Sequence, residues 1–220
     1  MSVPPAPPIL LASESPQRRA ILEQLDIPFT VVPPRYEESG LRGAETVEVV
    51  RAHARGKARS VAGEADERPV LGVDTAVVID DETLGKPRDA ADAEAMLERL
   101  SGRAHEVMSG LCLVTPGWEE LQHEVTRVAF RPLTARDLAR YVGSGEWEGR
   151  AGGYAIQGLG GSLVERIDGD YLNVVGLPAA LLIRLLVRRF PGTYGFGYPA
   201  LSRGLSQGHG RSGPGRCQRE

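Results

Sequence analysis

Three short stretches of the sequence carry residue types suited to a phosphorylated ligand. In LASESPQRR, Ser13 and Ser15 precede Pro16, and the cations Arg18 and Arg19 follow it. As the loop before a helix, this stretch offers unpaired backbone N–H groups that favour anions, with guanidinium charge beside them. The plainer alternative is an N-cap with solvated arginines, yet cations at a helix N-terminus oppose its dipole and need a reason to stand there. In PVLGVDTAVVIDDETLGKP, Asp74 and Thr75 interrupt an apolar run, and Lys86 follows an acidic turn. A carboxylate in an apolar strand is costly unless partners or a metal compensate, so Asp74 marks either a hydrogen-bond network or a site. Taken singly, Asp74 also suits a turn and Lys86 a solvated surface. In RAGGYAIQG, a glycine-dense loop brings Arg150 and Gln157 together. Its glycines permit close approach to a ligand, or equally a tight loop against a sheet.

The elements around these stretches alternate between strand and helix patterns. PILLAS reads as a buried strand ending at Ser13, and Pro16 opens a helix continued by RRAILEQL at helical apolar spacing. FTVVPP reads as a second strand, and the acidic YEESG leads into an amphipathic helix over Thr46 to Ala62. VLGVDTAVVID is strand and turn, and DAADAEAMLERLSG a helix with Ala93, Met96, Leu97 and Leu100 on one face. HEVMSGLCLVTPG and HEVTRVAFRPL alternate as antiparallel strands about Pro116-Gly117. Thr134 and Asp137 mark a helix start, SLVERI follows the glycine-rich loop, and PAALLIRLLVRRF closes the ordered part.

The chain has 220 residues, enough for one domain with a sizeable core. Residues 1–8 read as a flexible leader and 9–190 as the folded domain. From 191 onward the sequence is Gly/Ser/Pro-rich without periodicity, with four Arg against one Glu, and reads as a disordered tail. A formal net charge of −3 gives no support to binding of polymeric nucleic acid. AALLIRLLV is too short to cross a bilayer and carries Arg184, so no membrane contact is expected. MSVPPAPPILLAS lacks a basic region ahead of an apolar core, which points to the cytoplasm. Cys112 and Cys217 make neither a disulfide framework nor a CxxC site, and Cys112 reads as core.

SPQRR, GVDT, LGKP, RAGGYAIQG and DGDYLNVVGLP, in this order and spacing, resemble the Maf family of nucleotide pyrophosphatases, also named septum formation inhibitors. The resemblance runs from Ile9 to about Phe190. It implies an α/β fold like that of the inosine triphosphate pyrophosphatases: a twisted mixed sheet flanked by helices, with a central cleft for a nucleoside triphosphate. It implies hydrolysis between the α and β phosphates to a monophosphate and pyrophosphate, with a divalent metal (Mg²⁺, Mn²⁺ or Co²⁺), and a homodimer. Asp74 matches the family's catalytic carboxylate, and Glu38, in YEE, matches a second carboxylate suited to the metal, which Asp74 would share. Such cleavage needs cations around the phosphates and a carboxylate to activate water. Arg18, Lys57, Lys86 and Arg150 supply the cations if they converge, with Lys86 beside Asp74 in the chemistry and Ser13 cradling oxygens.

Two positions depart from the family pattern. Gln17 stands where the family has Arg, at a position that bears on substrate, and Arg150 stands where it has Lys, which exchanges a point charge for a planar fork. Thr75 and Gln157 match the branch acting on dTTP and UTP, and a carboxamide suits the adjacent carbonyl and N–H of those bases. Competing functions are a cell-division regulator acting by partner binding, a nucleotide binder without turnover, and a pyrophosphatase for other modified nucleotides.

Overall fold

The computed structural model describes residues 6–38 and 44–197. The chain forms β1 (Ile9–Leu11), α1 (Pro16–Gln24), β2 (Phe29–Val31), α2 (Thr46–Ala62), β3 (Val70–Ile79), β4 (Glu82–Leu84) and α3 (Ala90–Leu100). It continues with β5 (Ala104–Thr115), β6 (Trp118–Phe130), α4 (Ala135–Val142), β7 (Val164–Asp168), α5 (Tyr171–Val175) and α6 (Ala179–Arg189). The strands form one mixed sheet in the order β2-β1-β3-β5-β6-β7, with β4 added to β3. The expected α/β class is therefore present.

Period-two alternation assigns the faces of this sheet. Ile9, Leu11, Leu71, Val73, Leu111 and Leu113 pack with Ile21 and Leu22 of α1 and with the apolar stripe of α6. Their neighbours Leu10, Val70 and Cys112 face the other way, onto Ala54, Ala58 and Val61 of α2. Cys112 is thus the core residue its type suggests, and burial pushes its thiol up to about 12. A further core lies along the sheet, where Val77, Ile79, Val107 and Phe130 meet α3 and α4.

The approach of α2 to the sheet depends on two missing side chains. A methyl on Gly72 would come within 2.7 Å of the Ala58 backbone nitrogen, and one on Gly110 as close to that of Arg51. Both glycines lie under α2, so the helix beds directly on the backbones of β3 and β5. Gly110→Ala should force α2 outward and cost about 1–3 kcal/mol, as overpacking does. The check is the urea midpoint; an unchanged midpoint would show that α2 does not rest on this strand.

Strand β3 is paired on its β1 side only through Leu71. On the same side β4 takes over at Val77. Gly72 to Ala76 has no partner there among the described residues, and the structure opens at this gap. The β3–β4 hairpin turns on Asp80 and Asp81, both at positive φ, as a two-residue turn between twisted strands requires.

Of the expected leader and tail, residues 1–5 and 198–220 lie outside the described residues. Nearer the domain, parts of both stretches are packed. Tyr194 is buried and its hydroxyl donates to the Pro7 carbonyl at 2.9 Å. Its ring meets Phe190 edge-on, and Ala6 and Phe196 pack on the same core. Low-complexity composition hid these aromatic anchors, which gain apolar burial wherever the chain can reach a core. No helix of the described residues is long and apolar enough to cross a membrane.

Candidate active site

A cleft of about 780 Å³ opens at the unpaired stretch of β3. It lies between Val73, in the core under α1 and α6, and Val77, in the core under α3 and α4. Thr75 therefore stands where these two cores part, and Asp74 points to the other face, where the Lys57 ammonium compensates its charge. Asp74 and Thr75 are consecutive in a strand, so their side chains leave on opposite faces.

Asp74 faces α2. Its Oδ1 accepts a hydrogen bond of 2.6 Å from Lys57 Nζ, and the same ammonium lies 2.6 Å from Glu38 Oε1. The Asp74 and Lys57 side chains are largely buried, whereas that of Glu38 is 56% exposed. Lys57 sits on the α2 face that the two glycines hold close to β3. Its hydrogen bond holds the Glu38 carboxyl below the usual carboxylate range, and the charges of Lys57, His53 and Lys86 add to this against the opposing effect of burial.

Thr75 faces α1 and α5. Arg18 donates from Nη2 to Thr75 Oγ1 at 3.2 Å, from Nη1 to Ser13 Oγ at 2.9 Å and from Nε to the Gly176 carbonyl at 2.9 Å. Thr75 Oγ1 also shares a hydrogen bond with Ser109 Oγ at 2.9 Å. Desolvation lowers the Arg18 pKa, opposed by the charges of Asp74 and Glu38. The guanidinium is thus locked across the helix start, and that network is the reason for a cation at this end of α1. Ser15 caps the helix by accepting from the Arg18 N–H, and its hydroxyl donates to Gln17 Oε1 at 3.2 Å.

Ser13, Gln17, Arg18, Glu38, Lys57, Asp74, Thr75, Lys86 and Arg150 all line this one cleft. The four expected cations converge. Lys86 is carried in by the β3–β4 hairpin and is exposed. Arg150 is partly buried, and its Nε has no hydrogen-bond partner among the described residues. The loop after it is docked on the sheet: Gly152 N–H donates to the Gly85 carbonyl at 3.0 Å, and a methyl on Gly152 would meet Val77. Of the two uses open to those glycines, close packing on the sheet is the one observed.

Gln157 stands apart. It is exposed in the turn after Ile156 and does not line the cleft. Ile156 takes the inward direction in this turn and joins the core under α3 and α4, which leaves its neighbour facing out.

Four contributors escaped the sequence. His53, which lines the cleft, lies one helical turn before Lys57, a spacing that flags a shared face. Ser109, fully buried in an apolar strand, is a second legible signal. Tyr154 borders the cleft and is hydrogen-bonded to His105 Nε2 at 2.8 Å; burial pulls that imidazole down to about 4. The Gly176 carbonyl acts through backbone and leaves no side-chain trace.

The donor set suits a hard divalent ion that arrives with phosphate. Glu38 and Asp74 present carboxylate oxygens around one point, Lys57 Nζ, and Mg²⁺ is usually held by one or two carboxylates with phosphate oxygens and water completing its shell. Glu38 is kept ionised, as a ligand must be. No group of three or more His, Cys, Asp or Glu able to hold a metal occurs among the described residues. Bound there, such an ion would neutralise charge on phosphate oxygens.

The sequence profile described as "Maf-like protein" matches residues 8–189. The chain belongs to the Maf family. Among curated Maf relatives, a protein of Nitratidesulfovibrio vulgaris is 48% identical over 186 residues, covering 84% of this chain and 89% of the relative. One of Symbiobacterium thermophilum is 43% identical over 196 residues, covering 89% and 97%. One of Thermus thermophilus is 46% identical over 185 residues, covering 83% and 95%. Each of these three is named a dTTP/UTP pyrophosphatase. Among solved structures, the Ham1 protein of Staphylococcus aureus aligns with a TM-score of 0.40 at 14% identity, over 56% of this chain and 72% of that one. That likeness is too distant to bear on the Maf site.

Proposed function

We propose that this Maf protein is a nucleoside triphosphate pyrophosphatase that hydrolyses dTTP and UTP to the monophosphate and pyrophosphate, in house-cleaning of the nucleotide pool. The observation that carries the chemistry is the convergence of Arg18, Lys57, Lys86 and Arg150 on one cleft around Asp74. A bound triphosphate has nearly four negative charges, and no neutral ligand calls for such a set. The curated relatives carry the base preference, since they bear the dTTP/UTP name at 43–48% identity over most of their length.

In this cleft Ser13 and the start of α1 receive phosphate oxygens, and Arg18, held by Ser13, Thr75 and Gly176, is fixed before substrate arrives. Lys57 takes Asp74 Oδ1, which leaves Oδ2 for the attacking water. Asp74 accepts the water's proton as the α phosphorus is attacked, and Lys86 and Arg150 balance charge on the departing pyrophosphate. Glu38 and Asp74 would hold the divalent ion in place of the Lys57 ammonium that joins them in the resting site, and the ion would supply neutralisation of charge on the phosphate oxygens. Thr75 fixes the inner end of the site, and Gln157 is assigned to the base by the family resemblance alone, since it stands outside the cleft. Gln17, in place of an arginine, leaves that end of the site with one charge fewer. A cytoplasmic location and a homodimer accompany this reading; sedimentation velocity measures the latter.

The test is pyrophosphate release from a panel of triphosphates. UTP and dTTP should exceed CTP, ATP and GTP in kcat/KM by roughly 5- to 150-fold, the range set by leaving one buried polar group unpaired. EDTA should abolish turnover, and Mg²⁺, Mn²⁺ or Co²⁺ should restore it. Equal kcat/KM for UTP and GTP would overturn the base assignment alone. No pyrophosphate from any triphosphate would favour a partner-binding regulator or a binder without turnover.

A further inference from the structure

Glu38 has no regular structure to hold it. Strand β2 ends at Val31 and α2 begins at Thr46, and the described residues between them belong to no helix or strand. Even so, the segment that ends in Glu38 is laid along α2 by side-chain contacts. Arg35 N–H donates to Ser60 Oγ at 3.1 Å, and its guanidinium pairs with Glu64 at 2.8 Å. Tyr36 hydroxyl is hydrogen-bonded to His53 Nδ1 at 3.1 Å, and the two rings meet edge-on at 5.8 Å. Glu38 then reaches Lys57.

The seat of the Tyr36 ring is Gly56. A methyl there would overlap the ring at Cε2, Cζ and Cδ2. Glycine inside a 17-residue helix is disfavoured against alanine, so its presence needs a local cause, and the ring supplies one. His53 and Lys57 lie four residues apart on the same helix face, so the group that anchors Tyr36 and the group that meets Glu38 move together.

We infer that Tyr36, seated on Gly56 and hydrogen-bonded to His53, is a positioning residue that delivers the Glu38 carboxylate to the metal site. The inference rests on Glu38 as a metal ligand, part of the function proposed above, and adds the device that holds it. Only Glu37 separates Tyr36 from Glu38 along the chain, so release of the ring frees the carboxylate to wander in solvent, where half of it already lies.

Mn²⁺ binding, read by the EPR signal of the free ion in the presence of non-hydrolysable α,β-methylene-UTP, tests this without turnover. Tyr36→Phe keeps the ring and loses its anchor, and should weaken Mn²⁺ about fivefold, the equivalent of one hydrogen bond. Gly56→Ala displaces the ring and should weaken it roughly tenfold or more, because the carboxylate's placement goes with it. In turnover, the apparent KM for Mn²⁺ should rise by more than kcat falls. In a Glu38→Gln background, Tyr36→Phe should have no further effect, which a merely structural role would not produce. Wild-type Mn²⁺ affinity in both variants would overturn the inference, as would an undiminished Tyr36→Phe penalty in the Glu38→Gln protein. Should the wild type hydrolyse UTP yet take up no Mn²⁺, the inference falls and the pyrophosphatase stands. Should it bind Mn²⁺ with the expected variant pattern yet hydrolyse nothing, the inference stands and the pyrophosphatase falls.

Discussion

Asp74→Asn should lower kcat by about 10²-fold or more while the fold persists, the scale of a lost general base. Asparagine keeps the shape and leaves an oxygen for Lys57 Nζ, so the 2.6 Å contact on the α2 side retains a partner. The ammonium also keeps Glu38. What disappears is the negative charge that, in the proposed mechanism, accepts the water's proton and helps to hold the metal. Stability should change little, because Asp74 belongs to neither of the flanking cores and its loss opens no cavity. Pyrophosphate release at saturating UTP and metal measures the first expectation, and a urea titration the second. Near-normal kcat would remove Asp74 from the mechanism.

How much of this was legible in the sequence differs by element. The long helix over Thr46–Ala62 falls where its apolar spacing places it, because one stripe of Val50, Ala54, Ala58 and Val61 must meet a sheet. The hairpin strand after Pro116-Gly117 begins earlier than its alternation suggests, at Trp118 and not at His123. Its first residues, WEELQ, are anchored by charge: Glu119 pairs with Arg55 and Arg59, and Glu120 with Arg188 and Arg189. Ion pairs leave no period-two hydrophobic trace. Strand β4 has three residues and little pattern to read.

At the site, residue types and their order along the chain were readable, and their faces were not. Consecutive Asp74 and Thr75 serve opposite sides of the sheet, one toward Lys57 and one toward Arg18, a division that only the pleat imposes. The placement of Gln157 was hidden for a related reason. Within YAIQG, Tyr154, Ala155 and Ile156 are all buried, and no periodicity announces that the next residue turns outward. Gly72 and Gly110 look like ordinary strand glycines until α2 is laid across them.

Lys57→Met should separate binding of metal from chemistry. Methionine matches much of the length and apolar stem of lysine but has no charge, so packing on α2 survives while the bridge between Glu38 and Asp74 is lost. Two carboxylates that meet one ammonium at 2.6 Å each repel by roughly 3 kcal/mol at an effective dielectric of about 20 once the cation is removed. A divalent ion is the natural replacement. Mn²⁺ should therefore bind more tightly to Lys57→Met than to the wild type, because the ammonium and the metal compete for the same oxygens. Turnover should move the other way. In the wild type the displaced ammonium is free to meet phosphate oxygens, and loss of one such donor costs about 10²- to 10³-fold in kcat. Tighter Mn²⁺ with slower release of pyrophosphate is the expected pair of results. Weaker Mn²⁺ would mean that Lys57 helps to hold the ligand set open for the metal; unchanged kcat would mean that its charge serves the resting site and not the reaction.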